Sequence, residues 1–346
     1  MATIGDVARR AGVSRTAVSF AFNKPEQLAE ETLQRILDVA YELGYYPNPA
    51  ARSLNTGRTG ILGVLIPECA AIVYANPFTL DFLKGVGRVS DRHGLTMLLV
   101  SPLQGSLTHA MNNVPVDGFI TLGLGVGRRE VELLHRRKVP FVVVDALAPQ
   151  GVSSVEVDDV GGATAAAAYL LDAGHRRVLI LALPARRGDE DDPIATGRYD
   201  VPHRRLRGYA RAFEARGLAF PTAPEGLVSA ESTIEGGARA LRPALRSPSP
   251  PTAILAMSDA LAMGALRAAR EAGLRVPDDL SVVGFDDVEQ AALTNPPLTT
   301  VHQPVVEKGR QAAELLVRGL GGAIEPVHRV FPTSLVVRDS VRRVSP

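Results

Sequence analysis

Residues 3 to 23, TIGDVARRAGVSRTAVSFAFN, pack a helix, a sharp AGVS turn and a second short helix into the span of a helix-turn-helix. Ile4, Val7 and Ala8 fall on one face of the first helix, and Thr3 followed three residues later by Asp6 is a capping signal. Gly12 ends that helix and Ser14 caps the next. Ala17, Val18 and Ala21 then offer a small apolar face, which leaves Arg15, Thr16 and Ser19 available to a major groove of DNA. The bland alternative is a helical hairpin whose polar residues meet only solvent.

The adjoining segment favours the groove reader over the plain hairpin. In residues 31 to 43, ETLQRILDVAYEL, one stripe carries Leu33, Ile36, Leu37, Ala40 and Leu43, with Gly44 as the stop, so a third helix can close a miniature core. Residues 1 to 60 carry seven basic side chains against six acidic ones, most of the acids in or beside this third helix. Such a modest charge holds few phosphates, and paired headpieces are expected. In the segment YYPNPAARSLNTGRTG, Pro47 and Pro49 bar a long helix, while Ala50 to Leu54 can form a short turn that needs a partner. Paired on DNA, Leu54 would press into the minor groove as an apolar wedge with Arg52 or Arg58 on the backbone; otherwise the segment is a simple linker.

The motifs DVARRAGVSRTAVSFAFN, YYPNPAARSL, DDVGGATAAAAYLLDAGHRRV, RRLRGY and VPDDLSVVGFDDVEQAALTNPPLTTVHQP carry a resemblance that spans residues 3 to 338. On them the chain resembles the lactose-repressor (LacI/GalR) family of bacterial transcriptional regulators. The resemblance implies an α/β fold: an N-terminal three-helix helix-turn-helix headpiece with a hinge helix, then a two-lobed periplasmic-binding-protein-like (type I) effector domain with parallel sheets. The expected limits are 1–47 for the headpiece, 48–60 for hinge and linker, and 61–338 for the effector and dimerisation domain. Within it the first lobe would take about 61–148 and 289–325, the second about 149–288 and 326–338. By the same resemblance Leu54 matches the leucine that levers open the central base step of an operator. Ser14, Arg15, Thr16 and Ser19 match reader-helix positions, and the DNA-facing set is completed by Thr3, Asn23 and Arg52. Two departures concern the reader: Ala17 stands where the family commonly has Thr, and Phe20 where it often has Arg.

The 346 residues exceed one usual domain, and 46% hydrophobic with 22% charged residues suit a soluble core; the net charge of +1 discriminates little. No long apolar span or export segment is visible, so a cytoplasmic bacterial protein, on the nucleoid when bound to its operator and without a membrane partner, is expected. From residue 61 buried strands alternate with helices: ILGVLI, TMLLVS, VDGFITLG and FVVVDA in one lobe, RVLILAL, TAILAM and LSVVGF in a second. Stretches near 184–204 and 243–251 read as loops, the former longer than is usual in relatives. Cys69, alone, reads as buried or incidental.

Open parallel sheets place ligands beyond the carboxyl ends of their strands, which points to Asp145, Ser258 with Asp259, and Asp286 with Asp287. A carboxylate there can bind neighbouring hydroxyls, and Arg205 can supply an opposing fork of donors. For any one of these aspartates a helix cap or loop hydrogen bond is the competing role, and Asp259 and Asp287 lean that way. The resemblance assigns Asp145, Arg205 and Asp286 effector-contact positions, with Asn76 and Phe78 near the cleft. Ser258 replaces a common asparagine there, and Ser232 stands where several sugar and purine sensors present a stacking aromatic.

Catalytic signatures are missing: there is no nucleophile elbow, HExxH site or phosphate-binding GxxxxGK run, GLGVGRRE lacks the full dinucleotide pattern, and His175 reads as a structural cap or loop contact. No catalytic residue, metal or cofactor is therefore expected. The partners expected are double-stranded operator DNA, a small-molecule effector led by sugars and their derivatives, and a second copy of the chain in a homodimer. Repression is the leading mode; activation or dual regulation, and a solute-binding protein without DNA function, are the alternatives.

Overall fold

The computed structural model describes residues 2–47, 53, 57–184, 200–222, 225–322 and 325–344, in two compact units, 1–59 and 60–346. In the first unit α1 (Ile4–Ala11), α2 (Arg15–Asn23) and α3 (Glu30–Glu42) enclose Val7, Ala8, Ala11, Val18, Ala21, Ile36 and Ala40. The helix ends are set by local chemistry. Thr3 Oγ1 accepts the Asp6 N–H at 3.3 Å and the Asp6 carboxylate accepts the Thr3 N–H at 2.9 Å, a reciprocal capping box. Gly12 stops α1 at a φ of +67°, where a side chain is strained, and the Val13 N–H turns back to the Ala8 carbonyl at 3.0 Å. Arg52 and Leu54 of the expected hinge lie outside the described residues.

In chain order the second unit contains β1 (Ile61–Leu65), α4 (Ala70–Ala75), α5 (Pro77–Arg92), β2 (Thr96–Val100), α6 (Leu107–Asn112), β3 (Gly118–Leu122), α7 (Arg129–Arg136), β4 (Phe141–Val144) and β5 (Ser154–Val157). It continues with α8 (Asp159–Asp172), β6 (Val178–Ala182), α9 (Val201–Glu214), β7 (Leu227–Ser229), α10 (Ile234–Leu245), β8 (Ala253–Ala256), α11 (Asp259–Glu271) and β9 (Ser281–Asp286). The last elements are α12 (Glu289–Leu293), β10 (Thr299–His302), α13 (Val305–Leu320), β11 (His328–Phe331) and β12 (Ser334–Val336).

Two six-stranded sheets result, ordered β11-β5-β4-β3-β1-β2 and β12-β10-β9-β8-β6-β7. Among the described residues all strand pairings are parallel except β12 on β10. The central strands β3 and β6 are buried at every position, as helices on both faces of a parallel sheet require. Each lobe therefore has apolar clusters on either side of its sheet, with Phe82, Ile120 and Leu316 in one and Tyr209, Phe213 and Phe285 in the other. Helices α5 and α13 pack so closely that a Cβ on Gly85 would lie 2.0 Å from the Val306 carbonyl oxygen, and one on Gly309 2.1 Å from that of Phe82.

The lobe limits expected from the sequence are displaced. Strand β5 pairs with β4 in the first sheet although 149–288 was expected in the second lobe, and β10 pairs with β9 in the second sheet although 289–325 was expected in the first. The 326–338 segment is shared: β11 joins β5 in the first sheet and β12 joins β10 in the second. The crossovers thus fall between β5 and α8, between β10 and α13, and between β11 and β12. These strands have three or four residues each, and their sheet is chosen by which edge offers hydrogen bonds, which periodicity does not encode. Two further expectations change. Helix α10 runs through Pro243 to Leu245, so the 243–251 loop starts three residues late, and of the two readings of Cys69, buried or incidental, its exposure just before α4 removes the first. Of the 184–204 stretch, residues 185–199 lie outside the described residues, and α9 begins at Val201.

Candidate functional site

On α2, Arg15, Thr16 and Asn23 are exposed and Ser19 is half-buried. Asn23 Nδ2 donates to the Ser19 carbonyl at 2.9 Å and to its hydroxyl at 3.3 Å, which ties the two together one turn apart. Two members of the expected DNA-facing set are also caps: Thr3 Oγ1 donates to Asp6 at 2.7 Å, and Ser14 Oγ accepts the Ala17 N–H at 3.0 Å. Both residues remain exposed. The arrangement presents short donors and one guanidinium along a single helix, the equipment of a groove reader.

The second site is a cavity of about 230 Å³ between the sheets of the larger unit. Asn76, Phe78, Asp145, Arg205, Ser232, Ser258 and Asp286 all line it, whereas Asp259 and Asp287, the strand-end aspartates that leaned towards a capping role, do not. Asp145 follows β4 and Asp286 ends β9, and the caps of three helices converge there: Asn76 on α5, Asp200 on α9 and Ser258 on α11. Asn76 Nδ2 donates to Ser232 Oγ at 3.2 Å, and Ser232 Oγ lies 2.9 Å from Ser258 Oγ, a polar bridge from one lobe to the other. Ser258 Oγ also accepts the Leu261 N–H at 3.3 Å, so capping and cavity lining coexist in one residue.

The charged groups form a buried chain. Arg205 Nε donates to Asp159 Oδ1 at 2.8 Å, one η-nitrogen donates to the Met257 carbonyl, and that nitrogen lies 3.9 Å from Asp286. The guanidinium stacks over Phe285 at 3.5 Å from the ring centroid. Much of its fork is thus committed to protein, where the sequence expectation had it facing a ligand. Gln303 Nε2 donates to Asp286 Oδ1 at 2.7 Å, and its Oε1 accepts from Lys308 at 2.7 Å. Lys308 in turn donates to both Asp145 oxygens, at 2.7 and 3.0 Å. Asp145 and Asp286 have φ of +58° and +126°, a left-handed geometry that costs an L-residue about 1–3 kcal/mol and aims their side chains off the strand ends.

Burial pushes the Asp286 carboxyl above its ordinary value of 3.8, against the pull of Arg205. Asp259 is raised for the same reason, against the hydroxyl of Thr300 and the Val288 N–H, both of which it accepts. Asp259 is thus a structural acceptor, and Gly284 leaves room for it: a Cβ there would lie 2.2 Å from its carboxylate. Asp287 accepts from Arg338 at 2.6 Å and lies 3.0 Å from His302. His175 is buried between Thr252 Oγ1 at 3.1 Å and the Arg342 carbonyl at 3.2 Å, and burial lowers its pKa. Asp159, Gln303 and Lys308 were missed from the sequence. Lys308 alone left a signal, a charge in the otherwise apolar stripe of Val305, Ala312 and Leu316.

Among the described residues no group of three or more His, Cys, Asp or Glu could hold a metal ion, and no helix is long and apolar enough to cross a membrane. The family model of bacterial regulatory proteins, lacI family, matches residues 3–48, and that of the periplasmic binding protein-like domain matches 167–341. The HTH-type transcriptional repressor CytR of Escherichia coli (strain K12) is 30% identical over 348 residues, 99% of this chain and 96% of its own. The HTH-type transcriptional regulator CelR of Thermobifida fusca is 34% identical over 347 residues, 98% of each. A solved CelR–cellobiose complex superposes with a TM-score of 0.68 at 32% identity, over 98% of this chain and all of that one. The lac repressor dimer bound to operator and the anti-inducer ONPF shares the fold, with a TM-score of 0.77 at 24% identity over 99% of both chains. With its reader helix, its two parallel-sheet lobes and these full-length matches, the chain belongs to the LacI family of bacterial transcriptional regulators, non-catalytic proteins that bind specific DNA sequences.

Proposed function

We propose that the protein is a homodimeric repressor whose operator affinity is set by a sugar or sugar derivative held in the cavity between its lobes. The observation that carries this reading is the convergence of Asn76, Phe78, Asp145, Arg205, Ser232, Ser258 and Asp286, from both lobes, on one cavity. A ligand touching both lobes stabilises one lobe geometry over another, and through the dimer that preference reaches the paired headpieces. The cellobiose complex of CelR supports a saccharide, and the lac repressor dimer on its operator supports the assembly. Arg15, Thr16, Ser19 and Asn23 read base edges, Thr3, Ser14 and Arg52 hold backbone, and Leu54 enters the minor groove. The protein acts in the cytoplasm on nucleoid DNA.

The deciding experiment selects genomic DNA fragments with the purified full-length protein at defined salt, then measures operator affinity against a panel of mono- and disaccharides. One near-palindromic motif is expected, with affinity changed at least tenfold by one panel member. Absence of sequence enrichment by folded dimer, with and without the panel, would overturn the reading.

A further inference from the structure

Lys308 lies in the first turn of α13, wholly buried, at a stripe position that an apolar side chain would fill without desolvating a charge. It is also at the positive end of the helix dipole, which disfavours a cation. Both costs are met by its three acceptors, the two Asp145 oxygens and Gln303 Oε1, with the Phe78 ring 4.9 Å away. Other charges reach Asp145 only at longer range, Glu156 of β5 and Arg204 of α9. Among the described residues the other carboxylates that line the cavity are Glu68, Asp200, Glu231 and Asp286, whereas Arg205 is the one lining cation and is turned to Asp159 and Met257.

We infer that Lys308 is a positioning residue that sets the charge selectivity of the cleft: it holds Asp145 as a fixed anion on the wall, so the site takes ligands offering hydroxyl or ammonium donors and rejects carboxylated and phosphorylated ones. The inference rests on the reading that this cleft holds the effector. The Asp145 oxygens keep acceptor lone pairs beyond those used by Lys308, and a sugar hydroxyl is a donor that matches them. An acidic ligand would meet an anion in a desolvated wall, where like charges repel far more strongly than in water. Without Lys308, Asp145 would lose the donor that holds both of its oxygens, so its placement and its field at the cleft would both change.

The test compares full-length wild type, Lys308→Met, Lys308→Arg and the double variant Asp145→Asn/Lys308→Met. Calorimetry would use glucose, glucosamine, glucuronate and glucose 6-phosphate, with cellobiose and cellobionate as the disaccharide pair. Wild type is expected to bind a neutral or amino sugar at least tenfold more tightly than its acidic partner. In Lys308→Met that ratio changes by at least threefold, and Lys308→Arg, which keeps the cation, restores it towards the wild-type value. Equal affinity of wild type for an acidic partner, or an unchanged ratio in Lys308→Met, would overturn the inference. A ligand-free arm follows thermal unfolding at neutral pH: Lys308→Met should lower the midpoint by leaving the buried Asp145 carboxylate without its partner, and the double variant should recover part of that loss. Equal midpoints for Lys308→Met and wild type would also overturn it. If no sugar binds, the saccharide reading fails and this arm alone decides whether Lys308 controls Asp145.

Discussion

Asp286 joins burial, an unusual backbone angle and a neighbouring guanidinium in one side chain, and its proton is the most accessible readout of the cleft. Its carboxyl is raised above 3.8 by burial, so the folded protein keeps a proton that the unfolded chain releases. This contribution to stability is full below that ordinary value and is lost as pH rises through the folded value. Effector binding runs the opposite way. A ligand hydroxyl donating to Asp286 favours the ionised form, so affinity should rise with pH and level off above the folded value of about 8, and binding below that value should release a proton. Calorimetry of the saccharide ligand in buffers of different ionisation enthalpy measures that proton directly, and Asp286→Asn should abolish the release. In the DNA-binding half the corresponding single residue is Leu54. If Leu54 wedges the minor groove as proposed, Leu54→Ala should weaken specific operator binding by roughly tenfold or more, while saccharide affinity stays within about twofold. Equal operator affinity in a filter or anisotropy assay would remove the wedge.

Between elements, the tightest joint is α5 against α13, where Gly85 and Gly309 let two backbones meet. Gly309→Ala places a methyl group 2.1 Å from the Phe82 carbonyl oxygen, which cannot move as a flexible side chain would. A cost of about 1–3 kcal/mol is expected, read as a lower urea midpoint with unchanged slope. The same joint shows what was legible beforehand. Strands and helices such as β1, β4, β8, β9, α8 and α11 declare themselves by apolar runs and spacing, and the strand ends supplied Asp145 after β4, Ser258 after β8 and Asp286 at the end of β9. Strands β5, β10, β11 and β12 are too short for a period to register, and their partners lie far away in sequence, so the lobe limits came out displaced. Asp159 and Gln303 were invisible for another reason. Each looks like an ordinary loop or cap residue until the fold sets Arg205 or Lys308 against it.

The whole molecule separates reading from sensing. Its headpiece segment carries seven basic and six acidic side chains over residues 1 to 60, so a single copy has few cations to spend on phosphates. Operator recognition should therefore depend on two copies bound together. Cutting a near-palindromic operator to one half-site should reduce affinity by roughly a hundredfold or more and halve the slope of log affinity against log salt, both measurable by anisotropy titration. A half-site bound as tightly as the full operator would refute a paired reader.

The three crossovers between β5 and α8, β10 and α13, and β11 and β12 have a mechanical consequence. Two bodies tied by one strap can twist and slide as well as bend, whereas three short straps leave bending as the cheapest motion. Gln303 sits on one of these straps, between the side chains of Asp286 and Lys308. A ligand that bonds to Asp286 or Asp145 would therefore be tied, through Gln303, to the axle about which the two lobes bend.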